Sequence, residues 1–239
     1  MEKISQKAQI AEKIGEALLV YRSDGPQALA NSLHENLLTS KVRFPLLEYA
    51  AEILFPELDA RSIYALCSIL EKQKTIGGNV LIGKLLGLNL ELNFAQSLAE
   101  TKQVLEGADI WYISDIIGER VFGQALQLNF SETLTFYKKQ GNRANPWLIR
   151  AFGAGGHRAL KRGLSENHAI ELFEFLLTFS QSKEKEIRQG IGWAAKSAVK
   201  FHPVLALKYG PEIAKSDAWF RRKVQIGLER YRYGKGNSD

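Results

Sequence analysis

Ile110-Trp111, Pro146-Trp147-Leu148-Ile149-Arg150, Glu186-Ile187-Arg188-Gln189 and Ala218-Trp219-Phe220-Arg221-Arg222 each open a helix, and their spacing decides the fold. They recur at roughly 35–40 residues, the length of one helix–turn–helix repeat. A pair of helices that short cannot bury its apolar face alone. Successive pairs therefore stack, share one core and curve into a solenoid with a concave wall. Residues at equal positions in neighbouring repeats line up along that wall. Asp115 and Arg150, 35 residues apart, fall about one repeat from each other and are expected in the same groove.

Working outward, the rest of the chain reads as helix too. It has six prolines, no alternating β-branched runs, and abundant Ala, Leu, Glu and Lys. Helices are expected near 3–21, 26–38, 44–54, 59–73, 77–87, 93–106, 110–127, 131–140, 146–162, 166–179, 184–200, 203–214 and 217–231. The joints carry turn residues: Ser23-Asp24-Gly25-Pro26, Phe55-Pro56-Glu57, Gly141-Asn142 and Phe201-His202-Pro203. No linker or low-complexity tract divides the chain. The expectation is one all-α, HEAT-like helical-repeat domain over 1–239, with 232–239 a frayed tail.

Composition narrows the class. A hydrophobic content of 45% with 24% charged residues is ordinary for a soluble globular protein. No run is apolar enough to span a bilayer, and Met1-Glu2-Lys3-Ile4-Ser5-Gln6 lacks a signal-peptide core. A single Cys67 excludes an internal disulfide and a cysteine-cluster metal site, which fits a reducing cytoplasm. Charge is unevenly spread. Residues 1–137 carry 12 Lys and Arg against 17 Asp and Glu, whereas 138–239 carry 20 against 9. A net charge of −5 followed by +11 points to a polyanion on the C-terminal half. A basic but merely solvated surface satisfies the same numbers.

The residues able to carry chemistry cluster in Asp109-Ile110-Trp111-Tyr112-Ile113-Ser114-Asp115-Ile116-Ile117-Gly118. Trp111 and Asp115 are one helical turn apart, so an indole and a carboxylate share a face. A carboxylate among large apolar residues is either a cap or ion pair, or it is there for chemistry. Tryptophans Trp111, Trp147, Trp193 and Trp219 are each read as core packing or as a presented ring. Small neighbours Gly190, Gly192, Ala194 and Ala195 give Trp193 a backbone-lined surface, or allow close helix packing. Arg150, Arg188 and Lys196 belong to a recurring set of cations interleaved with aromatics, the usual equipment for a phosphate backbone. No phosphate loop, dinucleotide fingerprint or metal-ligand spacing occurs. Gly153-Ala154-Gly155-Gly156-His157 has no preceding strand and reads as a tightly packed helix.

Trp111-Tyr112-Ile113-Ser114-Asp115, Pro146-Trp147-Leu148-Ile149-Arg150 and Gly190-Ile191-Gly192-Trp193, in that order and spacing, resemble the AlkD-like alkylpurine DNA glycosylases. The likeness runs from about residue 40 to 232. It implies HEAT-like repeats that remove alkylated bases from duplex DNA as a monomer, without metal or organic cofactor. Asp115 would be the catalytic carboxylate, and Trp111 and Trp193 would flank the lesion. Arg150 would hold a phosphate, and the basic half, with Arg188 and Lys196, is separately expected to meet the DNA. Tyr112 and Ser114 depart from the family pattern, which has an acidic or small polar residue after the tryptophan and an apolar one before the aspartate. A non-catalytic repeat module that binds DNA or a protein explains the repeats and the charge, but not Asp115.

Overall fold

A computed structural model of the chain describes residues 3–141 and 144–235. Asn142 of the expected Gly141-Asn142 turn and residues 236–239 of the expected tail lie outside them. The described residues are almost wholly helical, as an all-α chain requires. They form two compact units, Met1–Gly107 and Ala108–Asp239.

The first unit opens on α1 (Lys7–Leu33), which is kinked where Gly25 takes φ 77. That positive φ is easy for glycine, and Pro26 then restarts the helix. The Ser23-Asp24-Gly25-Pro26 joint is thus a kink inside one element rather than a gap between two. A wide π-turn over His34–Leu38 ends it. Lys3–Ile4 is not helical as expected from 3–21: it pairs in parallel with Lys41–Val42, leaving Ile4 buried. Helices α2 (Phe44–Leu54), α3 (Ala60–Gln73), α4 (Ile76–Asn89) and α5 (Phe94–Glu106) follow. Helix α4 is buried along most of its length, and α2 and α3 pack against it. Asp59 and Thr75 cap α3 and α4 through side-chain oxygens that accept from Ser62 and Gly78 amides.

The second unit holds every residue singled out for chemistry. Its helices are α6 (Trp111–Arg120), α7 (Phe122–Leu128), α8 (Phe130–Gln140), α9 (Pro146–Lys161) and α10 (Glu166–Leu177). They continue as α11 (Lys185–Phe201), α12 (Val204–Lys208), α13 (Gly210–Lys215) and α14 (Ala218–Lys235). Two expectations are corrected. The helix expected over 110–127 breaks at Val121 into α6 and α7, and that over 203–214 is two short helices. The last helix runs to Lys235.

Within this unit α6 packs on α9, α9 on α11, and α11 on α14. Four glycines, Gly118, Gly153, Gly190 and Gly227, recur every 35–37 residues at these contacts. A β-carbon on Gly118 would lie 2.5 Å from the Ala151 carbonyl oxygen, and one on Gly153 only 2.1 Å from Gly190 backbone. At Gly227 it would lie 2.5 Å from the Lys196 carbonyl oxygen. The helices therefore meet backbone to backbone, closer than side-chain-mediated packing allows. Behind them, Phe122, Phe136, Tyr137, Phe152 and Phe175 form one aromatic cluster, with the Tyr137 and Phe152 rings stacked at 3.8 Å.

Candidate functional site

The site is built from the N-terminal turns of α6, α9 and α11. Asn145 caps α9, its side-chain oxygen accepting from the Trp147 amide, and Pro146 follows at the first helical position. That start places Arg150 one turn inside α9. Asp115 sits one turn inside α6, and the close approach at Gly118 brings its short side chain within reach. Arg150 donates from Nε to Asp115 Oδ1 and from Nη2 to Oδ2, both at 2.8 Å. Its Nη1 donates to Glu186 Oε2 of α11 at 2.6 Å.

One guanidinium therefore joins two carboxylates across three helices. The three side chains are only 11%, 15% and 18% exposed for Arg150, Asp115 and Glu186. Charge-assisted bonds that are partly screened from water count for more than exposed pairs. Burial lowers the pKa of Arg150, but the bonds to Asp115 and then Glu186 outweigh it and leave it above the ordinary value. Over this group lies Trp111, 55% exposed, with the Arg150 guanidinium 5.7 Å from its ring centre. Tyr112 meets the same indole edge-on at 5.9 Å. Ser114 is fully buried, and its hydroxyl has no hydrogen-bond partner among the described residues.

Beside Trp111 is a depression of about 330 Å³ whose lining includes Trp111, Trp147, Arg150, Lys185, Glu186 and Gln189. Asp115 is not among the residues that line it.

The structure brings Asp115, Arg150 and Trp111 together. Trp193 makes its ring contact elsewhere: it is half-buried and stacks on His157 at 4.2 Å. His157 Nδ1 is 2.7 Å from Ser197 Oγ. Burial first, and then the charges of Lys196, Lys161, Arg158 and Lys200, push the His157 pKa down to about 4, so the ring is neutral at pH 7. Lys196 is half-buried, and its pKa is lowered by burial and by Arg230, Lys223 and Lys200. Arg188 belongs to neither group. It is exposed, with its guanidinium 5.8 Å from the Trp219 ring centre.

Two acids escape a sequence reading that looks for single motifs. Glu186 stands 36 residues after Arg150, so the repeat arithmetic that pairs Asp115 with Arg150 also reaches it. Glu119 follows Asp115 by one turn. Burial raises its pKa, against the lowering influence of Arg158 and Arg120, and Asp115 raises it further. Nothing in the local sequence marks Glu119, because its environment comes from α9. Among the described residues no three His, Cys, Asp or Glu side chains converge to hold a metal ion. Among the described residues no helix is long and apolar enough to cross a membrane. No family model matches the chain, and neither the curated proteins nor the solved structures contain a match.

Proposed function

We propose that the chain is a DNA glycosylase that hydrolyses the N-glycosidic bond of cationic N3- or N7-alkylated purines in duplex DNA, on HEAT-like repeats stacked through α6, α9, α11 and α14. It acts as a cytoplasmic monomer. The observation that carries the reading is the Asp115–Arg150 pair, a carboxylate held by two hydrogen bonds beneath an exposed indole in the strongly basic part of the chain. Alkylation makes the purine a cation and a good leaving group. When the bond from C1′ to the base breaks, its electron pair leaves with the purine, which becomes neutral, and the sugar takes on oxocarbenium character. The Asp115 carboxylate stabilises that charge and accepts a proton from the water that adds to C1′. Trp111 offers its face to the cationic base. Lys196, Lys200 and Lys223 supply charge for the phosphate backbone. Trp193, stacked on His157, flanks the lesion nucleotide.

A second reading has its own support. Both oxygens of Asp115 are engaged by Arg150, and Asp115 does not line the depression. That favours a non-catalytic repeat module binding DNA or a protein. Incubating the protein with methylated duplex DNA and measuring free base separates the two. Release that Asp115→Asn slows by orders of magnitude supports the glycosylase, and DNA binding without release supports the module.

A further inference from the structure

Arg150 offers five N–H groups, and their allocation is uneven. Asp115 takes the side-on edge, Nε and Nη2, with two bonds. Glu186 takes Nη1 with one. Three of the five N–H groups are thus engaged, leaving one proton on Nη1 and one on Nη2, so a second oxyanion that comes to Arg150 meets the Glu186 carboxylate already at the Nη1 end. The depression beside Trp111 is lined by Arg150 and Glu186 and not by Asp115, so a ligand entering there meets the Glu186 end of the guanidinium. One cation shared by two carboxylates also leaves one negative charge in surplus. Glu186 holds Arg150 through one bond, where Asp115 holds it through two. It lies in the first turn of α11, where the unpaired amides and the helix dipole accommodate a carboxylate that has let go of Arg150.

We infer that Glu186 is the resident substitute for a nucleic-acid phosphate on Arg150. In the free protein it holds the outer end of the guanidinium in place. On binding it yields that end to a phosphodiester oxygen, while Asp115 keeps both of its bonds. Glu186 is thus a positioning residue that keeps Arg150 oriented and weakens capture of undamaged duplex. The inference rests on the reading that duplex DNA binds this face, but not on base release.

The test is the affinity of the full chain for an unmodified duplex, measured by fluorescence anisotropy at low salt. Glu186→Gln removes the competing charge and should tighten binding about tenfold, the scale of a close charge pair at an interface. Glu184→Gln removes an equal charge two residues away, from an exposed acid, and should change affinity only about twofold. In an Arg150→Ala background the difference between the two variants should vanish. Glu186→Ala should behave as Glu186→Gln does, which excludes an effect of the new amide. Equal effects of the two glutamine variants, or an advantage of Glu186→Gln that survives in Arg150→Ala, would overturn the inference. So would a failure of wild type and variants alike to bind the duplex. Absence of base release from methylated DNA, with this pattern intact, would overturn the glycosylase reading alone.

Discussion

Asp115 is both an ion-pair partner and the proposed catalyst, and the two roles separate on substitution. Asp115→Asn keeps the size of the side chain and one acceptor, and removes the charge. Arg150 retains Glu186, so the fold should lose about 1–3 kcal/mol rather than collapse. Duplex affinity should not fall, because an anion has left a basic surface. Single-turnover base release, at a temperature where the variant is folded, should drop by roughly two to three orders of magnitude. A rate equal to wild type under those conditions removes Asp115 from the mechanism. His157 gives a second measurement. Its pKa is about 4 in the fold against 6.5 for a free ring, so the unfolded chain binds the extra proton first as pH falls. Stability contributed by the neutral ring is present above pH 6.5 and is lost as pH falls towards 4. The melting temperature should decline over that window, and the decline should be shallower in His157→Gln. At this scale the sequence is legible where one repeat period links two residues, as it links Asp115 to Arg150. It is opaque for the Trp193–His157 stack and for Glu119, whose surroundings depend on how far α9 and α11 are rotated. A shift of one residue turns a side chain by about 100°, which is why Arg188 reaches Trp219 and not the Asp115 group.

The helices themselves were legible from turn residues and apolar spacing, and their corrections share a cause. Val121 breaks α6 from α7 without glycine or proline, because α9 packs on both pieces and each follows its own contact. The two-residue pairing of Lys3–Ile4 with Lys41–Val42 is non-local and leaves no periodic trace. The recurring glycines are visible in the sequence, yet a glycine inside a helix is ordinarily a weakness worth about 1 kcal/mol. Only the packing gives it a reason. Gly190→Ala would place a methyl 2.4 Å from the Arg150 carbonyl oxygen, with rigid backbone on both sides. The helices must separate, at a cost of about 1–3 kcal/mol or more. The variant should melt earlier than Gly15→Ala, where nothing lies within 4 Å of the added atom.

Across the molecule, the charge imbalance read from composition finds its place in the second unit. Burial and then Arg230, Lys223 and Lys200 depress the pKa of Lys196, and none of these four cations has an ion pair among the described residues. Duplex affinity should therefore fall steeply with salt, and Lys196→Ala and Lys223→Ala should each reduce the log–log slope by about one contact. A slope near zero would argue for a protein partner instead. The contact of Gly153 with Gly190 carries a last consequence, for how the second unit comes apart. No side chain lies between these two glycines, so at their crossing α9 and α11 have no layer that can loosen gradually, as a rotamer-rich interface can. Parting them exposes both backbones at once. Their central amides should therefore exchange with solvent deuterium at one common rate, set by opening of the whole unit, while the short helices α12 and α13 exchange far sooner.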